Sequence, residues 1–169
     1  IQLNITDPNI NYIFNILEDE KKHAKNPKTE ILKAIYFYLS GDNKSARRYI
    51  KSFNQLKKNM FINLTQNESL FCAAYYNFLT QLLDEPVLKS SEHQRKDTIY
   101  HIGESHCLSY AHHHIFMNDQ MYKIYPKITF GAKAFHFSNK VSNRFKAITK
   151  ANLHSIPENS VIFISFGEI

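Results

Sequence analysis

The spacing of apolar residues changes character once along the chain. Up to about residue 90 they recur every three or four positions, as in Ile10, Ile13, Phe14 and Leu17, or Leu70, Phe71, Ala74, Phe78 and Leu82. That spacing lines one face of a helix. It predicts helices over 10–24, 29–40, 44–59 and 67–83, separated by the breaking stretches KNPK, GDN and NLTQN. Loops this short predict antiparallel helical hairpins. The stretch DEPVLKSSEHQRKDT then interrupts the period, which puts a module boundary at residues 85–96. Beyond it, extended runs alternate with helical ones: a strand over Thr98–Ile102, a helix from Cys107 to about Met117, an extended run over 121–130, a helix over 139–154 and a strand over 160–166. Such alternation predicts an α/β unit over residues 97–169. Thr98–Ile102 and Val161–Phe166 are apolar at consecutive positions, which predicts parallel strands buried on both faces.

Within the helical part, Ala34, Phe37, Gly41, Asp42, Ala46, Ile50 and Phe53 form a sharper pattern. Small residues at 34 and 46 let two helices approach closely, and Gly41 permits the turn between them. The spacing resembles one tetratricopeptide repeat over about 24 residues. The resemblance implies a helical module, 1–90, that packs as a unit and offers a surface for a protein partner.

Composition narrows the classes. The chain has 169 residues, 43% of them hydrophobic and 14% aromatic, enough to bury a core. Its net charge of +6 comes from scattered lysines without a long basic run, so nucleic acid is not an expected partner. No apolar run reaches the roughly 18 to 20 residues of a membrane span, and no signal peptide opens the chain. Cys72 and Cys107 form no CxxC pair, which fits a reducing, cytoplasmic compartment. The chain opens on Ile1 and closes on the apolar VIFISFGEI. We therefore expect a fragment cut inside a domain, with an incomplete sheet and exposed apolar surface near residues 160–169.

In a parallel α/β sheet, ligands bind beyond the carboxyl ends of the strands. The three extended runs end at Gly103-Glu104-Ser105-His106, at Gly131 and at Gly167-Glu168-Ile169. A serine at a strand-to-helix turn exposes its hydroxyl and sets its own N–H at a helix N-terminus. Glycines after the neighbouring strands bring further N–H groups toward the same edge, a donor set suited to an oxyanion. The alternative for Ser105 is a plain helix cap ahead of HCLSYAHHHI.

The blocks IGESH, FGAKAFHF and VIFISFGEI together resemble the SGNH (GDSL-type) hydrolases over residues 98–169, the first half of such a domain. The resemblance implies a flavodoxin-like three-layer fold and serine ester or acyl-transfer chemistry, directed at a small-molecule or acylated glycan ester. By position it makes Ser105 the nucleophile, puts the N–H groups of Ser105 and Gly131 at the oxyanion and makes Gly167 the start of the third block; Gly167, at the same sheet edge, is a further oxyanion candidate. It also implies an Asp-x-x-His pair, which does not occur in these residues and is expected beyond residue 169, so this chain alone is expected to be inactive. Two positions depart from the family pattern: Glu104 replaces an aspartate, and Ile169 stands where an asparagine donor is usual.

Six of nine histidines lie between His101 and His136. His112, His113 and His114 are consecutive, so on a helix they would point about 100° apart and could not converge on one metal. No metal or cofactor is expected. Glu104, His106, His136 and Glu168 remain as substrate-binding candidates around Ser105. The rival reading is a non-catalytic protein-interaction or carbohydrate-binding module with a degenerate serine site.

Overall fold

Asn26 and Pro27 fix the start of the first described helix. The Asn26 side chain accepts the Lys28 N–H at 2.9 Å, and Pro27 occupies a first-turn position where no N–H is needed. The computed structural model describes residues 26–60, 64–84, 97–138 and 140–167. The helix expected over 10–24 and the boundary expected at 85–96 lie outside the described residues. Among those described, 26–84 belong to one compact unit and 97–167 to a second.

The first unit contains α1 (Pro27–Leu39), α2 (Asn43–Met60) and α3 (Gln66–Asp84). Between α1 and α2 the chain turns at Gly41, whose φ of 81° suits glycine, and Asp42 accepts the Ser45 N–H at 3.0 Å to start α2. Ala34 and Ala46 are fully buried where these two helices pack, and Phe53 is buried against the Tyr76 ring of α3. The small-residue spacing thus has the close-packing role expected of it. α3 opens with a reciprocal cap: Glu68 N–H donates to Thr65 Oγ1 while Thr65 N–H donates to Glu68 Oε2. Lys28 Nζ then bridges to Glu68 Oε1 at 2.9 Å, tying the start of α3 to the start of α1.

The second unit is a four-stranded sheet with short helices. Its elements are β1 (Asp97–Gly103), α4 (Cys107–Tyr110), β2 (His114–Met117), β3 (Gln120–Ile128), α5 (Phe135–Ser138), α6 (Arg144–His154) and β4 (Val161–Ser165). The strand order is β2-β3-β1-β4, with β1 parallel to both β3 and β4 and β2 antiparallel to β3. The chain is therefore mixed α/β, with helices followed by a mostly parallel sheet. α4 and α6 both pack against β1 and β3, and Ile102, Leu108 and Ile128 are among the residues this buries.

Three expectations are corrected. The helix expected from Cys107 to Met117 is one turn, because the chain leaves helical geometry at Ala111 (ψ 126°) and His112 (φ 65°). Residues 114–117 instead form β2, joined to β3 through Asn118 and Asp119, both with positive φ. Two left-handed residues between antiparallel strands match the twist of a hairpin. The helix expected over 139–154 starts at Arg144, where Asn143 accepts the Lys146 N–H. Finally, β4 is an edge strand. Val161, Ile162, Phe163 and Ile164 are 39–57% exposed, so the apolar surface expected near 160–169 is present, but the strand is not buried on both faces.

Candidate functional site

The parallel register sets Gly103 opposite Ile128 on one side and Ser165 on the other. The segments carrying Ser105, Gly131 and Gly167 consequently leave the sheet at one edge, from three adjacent strands with β1 in the middle. Gly103 keeps these strands close. A Cβ there would meet Ser165 O at 2.3 Å, Ser165 Oγ at 2.7 Å and Cys107 Sγ at 2.8 Å. Beyond it, Thr129 N–H donates to Gly103 O at 2.7 Å and Glu104 N–H reaches toward Ser165 O at 3.4 Å.

Glu104 organises the turn that follows. Its carboxylate accepts the Ser105 hydroxyl at 3.0 Å and the His106 N–H at 3.1 Å on Oε2, and it pairs with the His106 ring through Oε1. Burial pushes this carboxyl up, but the hydrogen bonds from His106 and Ser105 outweigh it, and the net shift is below the usual 4.5. The residue is 7% exposed and ionised. Ser105 therefore does not cap α4 with its side chain; its hydroxyl is turned to its neighbour's carboxylate. The one-turn length of α4 also removes most of the helix-end field expected at this serine.

Behind the turn lies a pair that sequence reasoning missed. His101 Nε2 is 2.7 Å from Ser165 Oγ, and His101 is 1% exposed between the rings of Tyr110 and Phe163. Its Nδ1 has no partner among the described residues. Burial pulls its pKa below 6.5, against the opposing pull of Glu104, so the ring is neutral at pH 7. The available signal was positional: His101 alternates with Ile99 and Gly103 on one face of the central strand. Cys107, also on this face, has its thiol pushed up to about 12 by burial and is a poor nucleophile.

The other expected site residues fall as follows. Gly131 has φ +68°, which suits glycine, and a Cβ there would find only Phe145 Cε1 at 3.9 Å. Gly167 has nothing within 4 Å of such a position, so its backbone is open. His136 serves its own loop. Its Nδ1 accepts the Lys133 N–H at 2.9 Å, its carbonyl accepts from Asn143 Nδ2, and its ring lies against Phe135 and Phe145. No hydrogen bond joins it to Ser105 among the described residues. The ring of Phe137, from the same segment, lies 4.4 Å from that of Phe166, tilted by 40°. Segments from either side of β1 thus meet at the edge that carries Ser105. Glu168 and Ile169 lie outside the described residues. His112 sits in the turn after α4, His113 follows it and His114 opens β2; among the described residues no group of three or more His, Cys, Asp or Glu side chains could hold a metal.

The arrangement can present a serine hydroxyl, oriented by an ionised carboxylate, at a sheet edge flanked by two glycine-containing loops. No protein-family model, curated protein or solved structure matches the chain.

Proposed function

We propose that residues 97–169 form part of an SGNH-type serine ester hydrolase of flavodoxin-like design, with Ser105 as the nucleophile, and that residues 1–90 form a tetratricopeptide-like module. The observation that carries this reading is the shared edge: Ser105, Gly131 and Gly167 follow three adjacent parallel strands in register. Donors converging from separate loops are what an oxyanion needs, whereas a cap needs only its own helix. In the proposed reaction Ser105 Oγ attacks an ester carbonyl, its proton passes to a base, and the alkoxide leaves as an alcohol to give an acyl-enzyme that water then resolves. Glu104 orients the hydroxyl but is a weak base, its carboxyl lying below 4.5. The histidine base belongs to the Asp-x-x-His pair that these residues lack. The free, buried thiols of Cys72 and Cys107 accord with a reducing, cytoplasmic setting.

The test is hydrolysis of an activated acetyl ester by the natural protein with any adjoining sequence in place. Ser105→Ala should remove the activity while far-UV circular dichroism stays unchanged. Equal rates in the two proteins would eliminate Ser105 as the nucleophile. A second reading, a binding module with a degenerate site, draws on the hydroxyl proton of Ser105 being held by Glu104 rather than by a histidine. It requires that no serine-directed phosphonate label Ser105 in the same protein.

A further inference from the structure

α2 contains Lys44, Arg47, Arg48, Lys51, Lys57 and Lys58 and no aspartate or glutamate. At 3.6 residues per turn, Lys44, Arg47, Arg48 and Lys51 fall within an arc of roughly 100°. That arc lies away from the side that buries Ala46 and Phe53. Beside it, α2 and α3 enclose a groove of about 270 Å³ in which Arg47, Lys51 and Asn54 stand around an apolar floor of Ile50, Tyr76 and Leu83. We propose that this groove binds a short acidic segment of a partner protein, one with carboxylates flanking a single apolar side chain.

Charge complementarity decides the occupant. Lys44 and Lys51 make no ion pair among the described residues. Arg47 is engaged by Asp84 at 3.1 Å and by the Leu83 carbonyl, but its pair with Asp84 is exposed on both sides, at 53% and 69%. An exposed pair of this kind is weak and can be exchanged for an incoming carboxylate. Asp84 thus stands where a partner's carboxylate would go. The floor accounts for the apolar side chain. From Lys44 to Lys51 the helix rises by about 10 Å, the length of roughly three residues of extended peptide. Nucleic acid fits less well, because Asp84 opposes phosphate and the basic face is too short to follow a backbone. The inference does not depend on the role of Ser105.

The experiment measures fluorescence anisotropy on the whole chain with three probes: a short peptide of glutamates around one leucine, its glutamine counterpart, and single-stranded oligouridine of matched charge. The glutamate peptide should bind and the glutamine peptide should not. Lys51→Glu with Arg48→Glu should weaken binding by about tenfold or more, and added salt should weaken it further. Asp84→Asn, which frees Arg47, should tighten it by about two- to fivefold. Circular dichroism on each variant separates lost binding from lost folding. Glutamate-peptide affinity that ignores both the charge reversal and Asp84→Asn would overturn the proposal. So would oligouridine binding more tightly than the peptide through the same residues.

Discussion

His101 Nε2 and Ser165 Oγ lie 2.7 Å apart on the same face of the β1–β4 pair, one diagonal step from the close approach at Gly103. The bond joins the central strand to the edge strand directly beneath the turn that carries Ser105. Burial holds the pKa of His101 below 6.5, so the unfolded chain takes up its proton before the folded one does. Stability from this site is full above pH 6.5 and is lost as pH falls below it. Chemical denaturation between pH 7.5 and pH 5 should therefore show a decline that His101→Phe flattens. Ser165→Ala should cost about 1 to 2 kcal/mol at pH 7.5, because it leaves the buried ring unpaired. A His101→Phe protein with an undiminished slope would assign the pH dependence to another group.

Gly103→Ala should be among the most damaging single-methyl additions in the chain. Its Cβ would lie 2.3 Å from a backbone oxygen of β4, which cannot swing aside as a side-chain tip can. Overpacking of a strand pair costs about 1 to 3 kcal/mol even where side chains can yield. The expected outcome is a loss at or above that upper figure in urea titrations. A variant as stable as the parent would show that β1 and β4 do not approach this closely.

Asp119→Gly tests the hairpin by its sign. At φ 59° in the second central position of the turn, glycine relieves left-handed strain and should stabilise by about 0.5 to 1 kcal/mol. At a helical position the same kind of substitution would instead destabilise by a similar amount. Thermal denaturation of the variant distinguishes the two outcomes.

The cap of α3 gives a prediction in acid. Its hydrogen bond with Lys28, followed by those from Thr65, lowers the Glu68 carboxyl from 4.5 to about 2. A lowered carboxyl contributes stability above its unfolded value and loses it as pH falls toward the folded one. Melting curves from pH 5 to pH 2 should fall more steeply for the parent than for Glu68→Gln. Thr65→Ala should lower stability by about 1 kcal/mol at neutral pH. Identical acid profiles for parent and Glu68→Gln would remove Glu68 from the account.

What could be read from sequence follows how local each cause is. Ala34, Gly41 and Ala46 act over one helical hairpin, so their spacing alone discloses close packing and a turn. Asn118 and Asp119 were equally local, yet Ile115, Phe116 and Met117 continue a helical run of apolar residues plausibly enough to hide the hairpin. Val161–Ile164 reads as a central strand because apolarity reports what a segment prefers, not its place in the strand order. The shared edge of Ser105, Gly131 and Gly167 was legible from a glycine at each strand end and the parallel rule. The His101–Ser165 pair was not, because it depends on a register between residues 64 apart in the chain.

That separation also orders assembly in time. The β2–β3 hairpin closes over two residues and can form within microseconds, whereas β4 must find β1 across the intervening chain that holds α4, β2, β3, α5 and α6. Until it docks, Val161–Ile164 travels as an unpaired, β-branched and aromatic ribbon, a sequence type that recruits its own kind in concentrated solution. Refolding yield should fall with protein concentration, and a lysine in place of Ile164 on the exposed strand should recover it without changing the midpoint of unfolding.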